Sequence, residues 1–511
     1  MFASVPSAPP DPILGLSEAF AADDRPGKLN LTVGVYCTAE GTTPVLDVVR
    51  DAERRLAETE TTKTYLPIAG SPAFAEGVSH LLFGERSDLA RRAVVADTPG
   101  GTGALSVVAR LAWVTEHTTT VWIPNPTWPN HRAVFSDAGL GVQTYRYADP
   151  SGRRRPLEEL LADLGRTTPG DLVVLHACCH NPTGVDLSVE EVGAVAAVLA
   201  DRGAVAVVDA AYVGLGDGVE PDTAGIRLLA DAGVDTFVCL SFSKSLGLYA
   251  ERVGALVTVA SDADTAADVQ SRIKACARSL YSNPPKHGGE TAAIVLTDPG
   301  LRDAWLVELE AMRSRINAIR AELADALERA ESPFCPGVGD GRGLFCLSGA
   351  SADQVETLRR GPAVVLVGGG RVDVAAPKTR TGSPPPGGPP PPCGGGGPRG
   401  RARARAGAGP RGLSAGGRCG PRRHRGARRG PRTWHVAGCV PLGPVPDARA
   451  DGRHHRLVVA RSPRRAAPRR IGDQPIARPV LSPVSHHGGR RLRRRGGGVR
   501  GSGPPGPLDH P

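Results

Sequence analysis

Short, wholly apolar segments recur along the middle of the chain, each about as long as a buried strand. They occupy residues 120–123, 172–176, 204–208, 236–240 and 254–259. Stretches with helical spacing of apolar residues, such as 189–201 and 223–232, lie between several of them. Because wholly apolar strands that alternate with helices are typical of parallel sheets covered on both faces, the pattern predicts an α/β fold with a mostly parallel sheet.

A long helix is predicted over residues 301–330, because apolar residues recur there every three or four positions. The apolar stripe consists of Trp305, Leu309, Met312, Ile316, Ile319, Leu323 and Leu327. We interpret it as a core-facing surface that leads into a smaller α+β domain, with short strands at residues 343–348 and 364–367. Another helix is expected over residues 104–114, after the glycine-rich turn Pro99-Gly-Gly-Thr-Gly103.

The composition changes abruptly near residue 376. Residues 377–511 hold 29 basic and four acidic residues, a net charge of +25, whereas the preceding residues hold 33 basic and 48 acidic ones, a net charge of −15. The overall charge of +10 therefore describes neither part. A segment so rich in Arg, Gly and Pro cannot bury a core, so the sequence predicts a disordered basic tail. The acidic body is ordinary for a soluble enzyme and long enough to bury a large core.

The ten cysteines have no repeating spacing, which argues against a disulfide framework and favours reduced thiols. Cys178, Cys179 and His180 suggest a metal, but no second ligand pair lies at zinc-finger spacing, so we expect no metal site. The sequence has no run of 18 apolar residues, and its first residues lack the regions of a signal peptide. The expected location is the cytoplasm, with no membrane partner.

Lys244 is the candidate nucleophile. It lies in Ser241-Phe-Ser-Lys-Ser-Leu-Gly, directly after an apolar segment that is typical of a buried strand. Ser241, Ser243 and Arg252 surround it in sequence and suit a phosphate dianion. Asp209 ends another apolar segment. An amine for a Schiff base, a carboxylate for a ring nitrogen and a basic phosphate site together predict a pyridoxal phosphate site, although a lone lysine is more often a solvated surface residue.

Other segments supply groups that fit the same site. The turn Gly100-Gly-Thr-Gly103 precedes a helix, so its amides and the Thr102 hydroxyl can hold a phosphate. Trp128 can stack on a planar cofactor, and the amide of Asn181, in Asn181-Pro-Thr-Gly184, can donate to a phenolate-type oxygen. The guanidinium groups of Arg278 and Arg371 suit carboxylates. Except for the Asn-Pro-Thr-Gly turn, each feature taken alone is more often an ordinary loop, core or surface residue.

On the basis of these residues, the chain resembles the class I, fold-type I pyridoxal-phosphate-dependent aminotransferases of the aspartate and aromatic amino acid group. The resemblance runs from Met1 to about Ala375. It includes Asp11-Pro-Ile-Leu-Gly-Leu, Val33-Gly-Val-Tyr36, Thr61-Thr-Lys-Thr-Tyr65 and Leu248-Tyr-Ala-Glu-Arg-Val-Gly254. It implies an N-terminal segment and part of the small domain in residues 1–45, a large cofactor-binding domain in 46–310 and the rest of the small domain in 311–376.

The resemblance also implies a role for each candidate residue. Lys244 would hold the cofactor as an internal aldimine and move the proton between the substrate's α carbon and the cofactor. Asp209, supported by His131, would pair with the pyridine nitrogen, and Asn181 and Tyr212 would bind the ring oxygen.

The remaining implied roles concern binding. The residues around the phosphate would be Gly101, Thr102, Ser241, Ser243 and Arg252, and Trp128 would cover the ring. Arg371 would bind the α-carboxylate of the substrate, in a pocket lined by Gly34, Trp128 and Asn181.

In this family two residues act on the site of the other subunit, Tyr65 on the phosphate and Arg278 on the substrate's side-chain carboxylate. A homodimer with shared sites is therefore implied. Arg278 indicates aspartate, glutamate and the matching 2-oxo acids, without excluding tyrosine or phenylalanine. The expected reaction is transamination between an amino acid, aspartate first and aromatic second, and a 2-oxo acid such as 2-oxoglutarate, with ping-pong kinetics.

The chain departs from the family after Ala376, where the family continues with a helix packed on the small domain. Our hypothesis is that a frameshift, real or a sequencing error, replaced the native C-terminus. Resequencing would refute it if no one-base change restores an amphipathic helix there. Asp373 also stands where the resemblance leads us to expect asparagine, and a carboxylate two residues from Arg371 is expected to weaken the substrate clamp.

The alternative function is an inactive or unstable relative whose basic tail binds nucleic acid without sequence preference. A tail with a charge of +25 would bind polyanions in a salt-dependent way. Its single aromatic residue, Trp434, argues against an evolved arm, because such arms usually interleave stacking residues. Truncation after Ala376 would distinguish the two readings, since an arm would take polyanion binding with it and leave transamination intact.

Overall fold

The structure is a computed structural model that describes residue 2, residues 14–25 and residues 27–376. The predicted basic tail, residues 377–511, lies outside the described residues, as does the Asp11-Pro-Ile segment of the family motif. Within the described part, no helix is both long enough and apolar enough to span a bilayer.

The centre of the fold is a seven-stranded sheet. After a short β1 (Leu29–Asn30), its strands are β2 (Ala93–Pro99), β3 (Thr120–Asn125), β4 (Gly141–Arg146), β5 (Leu172–His176), β6 (Val205–Ala210), β7 (Thr236–Ser241) and β8 (Val253–Val259). They lie in the order β2-β8-β7-β6-β5-β3-β4. Neighbours are parallel except for β8, which is antiparallel to both β2 and β7. The prediction of a mostly parallel α/β sheet is confirmed.

The described residues form fourteen helices, several of which cover the two faces of this sheet. They are α1 (Leu14–Ala21), α2 (Asp47–Thr59), α3 (Pro72–Phe83), α4 (Ser87–Arg91), α5 (Gly100–Thr115), α6 (Asn130–Asp137), α7 (Leu157–Leu164), α8 (Val189–Arg202), α9 (Val219–Asp231), α10 (Phe242–Ser245), α11 (Ala263–Leu280), α12 (Lys286–Thr297), α13 (Pro299–Arg329) and α14 (Ala352–Arg360). Side chains of β5 alternate between two cores, Val173 and Leu175 in one and Leu172 and Val174 in the other. Burial on both faces explains why these strands are wholly apolar.

The five predicted strands are all present, and their ends lie within two residues of the predicted ones. The pattern missed β4, which is an edge strand with mostly exposed side chains, and β2, which contains Asp97 and Pro99. The glycine-rich turn was placed wrongly, because α5 already begins at Gly100. Glycine is required in this first turn, since a Cβ at Gly103 would lie 2.7 Å from the Pro99 ring.

The long helix α13 is confirmed. Asp298 caps it by accepting from the Leu301 amide at 2.9 Å, and Pro299 occupies the first turn. The predicted stripe faces the core: Trp305, Leu309, Met312, Ile316 and Ile319 are buried, and Leu323 and Leu327 are partly buried. Nε1 of Trp305 donates to the Ser245 carbonyl at 2.7 Å. The helix therefore also fixes the end of α10, the short helix that carries Lys244.

Two further sheets have two strands each. β1 pairs in parallel with β10 (Val364–Val365). β9 (Phe345–Leu347) is antiparallel to β11 (Arg371–Asp373), which places Arg371 opposite Leu347. The sequence predicts β9 and β10, but not β11, because three glycines precede its arginine and interrupt any apolar run. The division into domains at residues 45 and 310 stays a prediction.

Arg320 joins α13 to the segment before β9. Its guanidinium is 1% exposed and donates to the carbonyls of Val338, Arg342 and Gly343, each at 2.9 Å, and to that of Phe345. Burial lowers the pKa of Arg320 from its ordinary value. Because four carbonyls of residues 338–345 accept from Arg320, one side chain ties the segment that precedes and begins β9 to α13.

Replacing Arg320 with alanine should lower the free energy of unfolding by roughly 3 kcal/mol or more, because buried carbonyls would lose their donor. Urea denaturation measures this change. Arg329→Ala, at an exposed position at the end of the same helix, is the matched control and should change the free energy by less than about 0.5 kcal/mol. Equal stability of the two variants would contradict the role given to Arg320.

Candidate active site

The predicted site residues follow the carboxyl ends of neighbouring parallel strands. In the register of β5, β6 and β7, His176 lies opposite Asp209 and Asp209 opposite Cys239. Asn181 follows β5, and Lys244 follows β7. Because parallel strands end at one edge of a sheet, these side chains converge. Asn181, Asp209 and Lys244 line a cavity of about 210 Å³, together with Val33, Gly34, Gly101, Thr102, Leu105, Trp128, Ala211, Tyr212, Ser241, Ser243, Arg252, Phe345 and Arg371.

Lys244 extends from the four-residue helix α10 into this cavity. Its Nζ lies 5.1 Å from the centroid of the Tyr212 ring. Burial lowers the pKa of Lys244; the charge of Asp209 opposes this effect, and the charges of Arg252 and Arg371 add to it. A lysine with a lowered pKa is a better nucleophile, because more of its amine is unprotonated at neutral pH.

Asp209 is a buried carboxylate that stays ionised. Its Oδ2 lies 2.9 Å from Nε2 of His131, and Nδ1 of His131 lies 2.8 Å from Oγ1 of Thr127. Burial acts to raise the pKa of Asp209, but the hydrogen bond to His131 and nearby positive charge hold it below its ordinary value. An ionised carboxylate in such a place can keep a proton on the nitrogen of a bound ring.

Two further histidines pack beside this pair. The rings of His176 and His131 meet edge-on with centroids 5.3 Å apart, and those of His176 and His180 are 4.4 Å apart. Burial lowers the pKa of His176 to about 3, so its ring is neutral at pH 7. One ligand atom each of His131, His176 and Asp209 lie within 4.8 Å of one another. Since His131 and Asp209 already bond each other, this cluster offers a metal few free lone pairs.

Several donors suited to a phosphate lie together. Ser241 Oγ donates to Ser243 Oγ at 3.2 Å, and Nη1 of Arg252 donates to the same oxygen at 3.3 Å. Gly100 begins α5 against Arg252, and a Cβ on this glycine would lie 2.6 Å from Nη2. The free amides and the dipole of this 16-residue helix favour an anion. Hydroxyls, a guanidinium and a helix terminus therefore form one anion site.

Arg371 is buried beside the same cavity. Its Nη2 donates to the Thr32 carbonyl at 2.7 Å, its Nη1 donates to Oδ1 of Asn181 at 3.3 Å, and its Nε has no partner among the described residues. The guanidinium lies 4.3 Å from the centroid of the Phe345 ring. Burial lowers the pKa of Arg371, but an arginine remains charged at neutral pH. A buried cation with a free N–H suits the carboxylate of a ligand.

The other predicted residues complete the cavity wall. The rings of Trp128 and His131 meet edge-on with centroids 5.3 Å apart. Gly34 has a φ of +70°, and a Cβ there would lie 2.7 Å from the Phe345 ring, so only glycine fits. Burial raises the pKa of Tyr212 well above its ordinary value, so its hydroxyl is a donor at neutral pH.

Tyr65 and Arg278 do not line the cavity of their own chain. Tyr65 is 91% exposed. Arg278 is exposed at the end of α11, where its Nη1 donates to Oγ of Ser282. The structure therefore brings together every predicted site residue except these two.

Phe345 and Thr32 are contacts that the sequence reasoning missed. Phe345 lies against the guanidinium of Arg371, and its ring meets that of Tyr212 edge-on with centroids 6.1 Å apart. A signal was available, because a strand predicted over residues 343–348 must turn one face toward its neighbours. Thr32 acts through its backbone carbonyl, which no side-chain motif reveals.

The cavity fits pyridoxal phosphate, which carries an aldehyde, a ring nitrogen and a phosphate. Lys244 supplies the amine, Asp209 the carboxylate and the residues around Arg252 the anion site, with the indole of Trp128 in the wall. A Cβ at Gly100 would crowd the Arg252 guanidinium, so glycine leaves this part of the anion site open. On a mostly parallel α/β sheet, this combination defines the class of pyridoxal-phosphate-dependent enzymes.

Comparison with known proteins narrows the class. Residues 26–380 match the family described as aminotransferase class I and II. An aspartate aminotransferase of Pseudomonas aeruginosa is 46% identical over 380 residues, which cover 74% of this chain and 95% of that protein. An aromatic-amino-acid aminotransferase of Paracoccus denitrificans is 41% identical over 72% of this chain and 93% of that protein. A crystal structure shows an aromatic-amino-acid aminotransferase from Burkholderia pseudomallei covalently bound to pyridoxal phosphate. Its TM-score to this chain is 0.71 at 44% identity, and the match covers 75% of this chain and 96% of that one.

The chain therefore belongs to the aminotransferase class I and II family. It is an enzyme that carries out transamination with pyridoxal phosphate, so the expected family, cofactor and reaction type are confirmed. The alternative of an inactive, nucleic-acid-binding relative gains no support from these comparisons. The family match ends at residue 380, so nearly all of the predicted basic tail lies beyond it.

Gly100→Ala should weaken retention of the cofactor, because the new methyl group would lie 2.6 Å from Nη2 of Arg252 at a φ of +75°. We expect binding to weaken on the order of tenfold, measured as pyridoxal phosphate remaining after dialysis. Gly141→Ala is the control, because no atom lies within 4 Å of a Cβ at that position. Equal retention by both variants would show that this glycine does not shape the anion site.

Proposed function

We propose that this aminotransferase moves the amino group between a dicarboxylic amino acid, aspartate first and glutamate next, and a 2-oxo acid such as 2-oxoglutarate. Phenylalanine and tyrosine form the second substrate class. The observation that carries the proposal is the buried guanidinium of Arg371 in the same cavity as Lys244 and Asp209. It supports the binding of the α-carboxylate that all these substrates share, close to the amine that reacts.

In this proposal Lys244 would hold the cofactor and move the substrate's proton. Pyridoxal phosphate, when bound, supplies an electron-withdrawing ring that stabilises negative charge on the substrate's α carbon. Nζ of Lys244, with its lowered pKa, would take the proton from that carbon and pass it to the cofactor. The ionised Asp209 would keep the ring nitrogen protonated, while His131 fixes the orientation of the Asp209 carboxylate.

The remaining residues bind and orient. Asn181 and Tyr212 would donate to the ring oxygen, and Trp128 would cover the ring. Gly101, Thr102, Ser241, Ser243 and Arg252 would bind the phosphate. Arg371 binds the α-carboxylate beside Gly34, and fixing this end of the substrate presents the reacting carbon in one orientation.

Two structural observations support the proposed preference for the side chain of the substrate. Arg278 provides a guanidinium that is exposed and outside the cavity of its own chain, which suits the second carboxylate of aspartate in a shared site. Val33, Leu105 and Phe345 give the cavity apolar walls that can accept an aromatic ring. Relatives of similar sequence identity include both an aspartate aminotransferase and an aromatic-amino-acid aminotransferase, which supports including both substrate classes.

We also propose that the enzyme is a homodimer whose two sites are shared. Tyr65 and Arg278 are both exposed and absent from the cavity of their own chain, as residues that serve a neighbouring subunit would be. In the dimer Tyr65 reaches the phosphate of the other subunit, and Arg278 reaches its substrate.

Lys244→Ala should lower turnover of aspartate with 2-oxoglutarate by about 10³-fold or more, because the cavity's lysine is lost. Borohydride reduction followed by mass spectrometry should find cofactor attached at residue 244 in the wild type and not in the variant, which still binds cofactor non-covalently. Lys274→Ala, an exposed lysine on α11, is the control and should keep full turnover. Near-wild-type turnover of Lys244→Ala would refute the proposal.

Co-expressing Lys244→Ala chains with Arg278→Ala chains tests the shared sites. Each variant alone should be nearly inactive on aspartate, whereas random mixing should restore about a quarter of wild-type activity, since half the dimers then contain one intact site. The control experiment uses Arg272→Ala chains instead of Arg278→Ala chains, because Arg272 is another exposed arginine on the same helix. Absence of any recovery would mean that Arg278 does not act on the other subunit.

A further inference from the structure

Asp373 is a buried carboxylate two residues from Arg371. It is 1% exposed, and because both residues lie on β11 two positions apart, their side chains project from one face of the strand. Its Oδ2 accepts from the amides of Gly34 at 2.8 Å and Val35 at 3.2 Å, and its Oδ1 accepts from that of Ala375 at 3.0 Å. The carboxylate therefore binds three backbone amides rather than the neighbouring guanidinium.

The segment that Asp373 binds, residues 31–35, forms part of the cavity wall. The Asp373 amide donates to the Leu31 carbonyl at 2.9 Å, and Nη2 of Arg371 donates to the Thr32 carbonyl at 2.7 Å. Together with the two amides on Oδ2, these bonds fasten the segment to β11. Gly34 lies against Phe345 at a φ that only glycine adopts easily, and its amide is held by the Asp373 carboxylate.

Asp373 also affects the charge that a substrate meets. The described donors around its oxygens are N–H groups, which suit the ionised form. Burial works against that form and raises the pKa of Asp373 to about 7, although the three amide bonds and the charge of Arg371 oppose the rise. Ionised, Asp373 offsets the positive charge of Arg371; protonated, it leaves that charge in full. A carboxylate bound at Arg371 would favour the protonated form, because like charges repel.

We propose that Asp373 is a positioning residue that tunes substrate affinity: its carboxylate holds Gly34 in place and offsets the charge of Arg371, so that an anionic substrate binds together with a proton taken up by Asp373. The inference rests on the proposed function, in which Arg371 binds the α-carboxylate. It predicts an affinity that falls as the pH rises through neutrality.

Other titratable groups also face Asp373. Tyr249 and Cys37 have pKa values raised by burial, so both stay neutral near pH 7. Arg315, whose Nε donates to the Cys37 carbonyl, stays charged throughout. The pKa of Cys346, on β9, is lowered by a hydrogen bond with Cys335, so Cys346 is a further titratable neighbour. A Cys346→Ser variant therefore separates its contribution.

The test is calorimetric binding of succinate, a dicarboxylate without an amino group, to the holoenzyme in buffers of different ionisation enthalpy. We expect the wild-type dissociation constant to rise about tenfold between pH 6 and pH 8, and proton uptake to accompany binding near neutrality. Asp373→Asn keeps an oxygen acceptor and loses the charge. This variant should bind succinate about tenfold more tightly than the wild type does at pH 8. It should also take up fewer protons on binding, because the contribution of Asp373 is lost.

Three variants serve as controls. Asp222→Asn changes another buried carboxylate that accepts three amides, those of Gly214, Gly216 and Asp217, and should keep the wild-type profile. Asp373→Ala removes both the tether and the charge, so it should bind less tightly than Asp373→Asn at every pH. Cys346→Ser should retain the proton uptake.

The outcomes separate the inference from the proposed function. If Arg371→Ala binds succinate as well as the wild type does, the proposed function fails. If Arg371→Ala loses binding while Asp373→Asn keeps the wild-type pH profile and proton uptake, only the inference is overturned. The wild type alone gives a further test, because succinate binding at pH 7.5 should produce the infrared band of a protonated carboxyl group. Absence of that band would overturn the inference without any variant.

Discussion

Burying Lys244, Asp209 and Arg371 around one small cavity is the constraint on which the rest of the structure depends. A charge inside a protein costs several kcal/mol unless it is paired or hydrogen-bonded. Asp209 is compensated by His131 and Arg371 by the Thr32 carbonyl, while the lowered pKa of Lys244 reduces its share of charge. These compensating groups come from α6, from the segment after β1 and from the ends of the central strands. The fold must therefore join distant parts of the chain before the site can exist.

Much of this arrangement could be predicted from the sequence. The apolar runs of β5, β6 and β7 reveal a sheet buried on both faces, and residues that follow such runs must meet at one edge, which is how Lys244 and Asp209 were found. β11 could not be predicted, because a three-residue strand after three glycines has no pattern of its own. Phe345 and Thr32 were missed because their roles arise from tertiary packing, in one case through a backbone carbonyl.

The contacts of Asp373 in the structure differ from those that its position in the sequence suggests. Its closeness to Arg371 in sequence suggests a competitor for the guanidinium, but its oxygens accept from the amides of Gly34 and Val35. The same side chain can therefore support the wall of the cavity and moderate its charge. Nearby, Ala375 and Ala376 are buried, and the Ala375 carbonyl accepts from the Cys37 amide at 3.3 Å. Packing against the core thus extends to the residue at which the composition changes.

The pairing of β1 with β10 has a consequence for the order in which the protein is made. Asn30 pairs with Val365, so the early segment leaves the ribosome about 330 residues before its partner does. At cellular rates of synthesis this delay lasts on the order of tens of seconds. The strands from β2 to β8 are complete well before that time, and they carry Asp209 and lead into Lys244. A growing chain thus produces Asp209 and Lys244 first, and Arg371, which we propose binds the substrate, among the last.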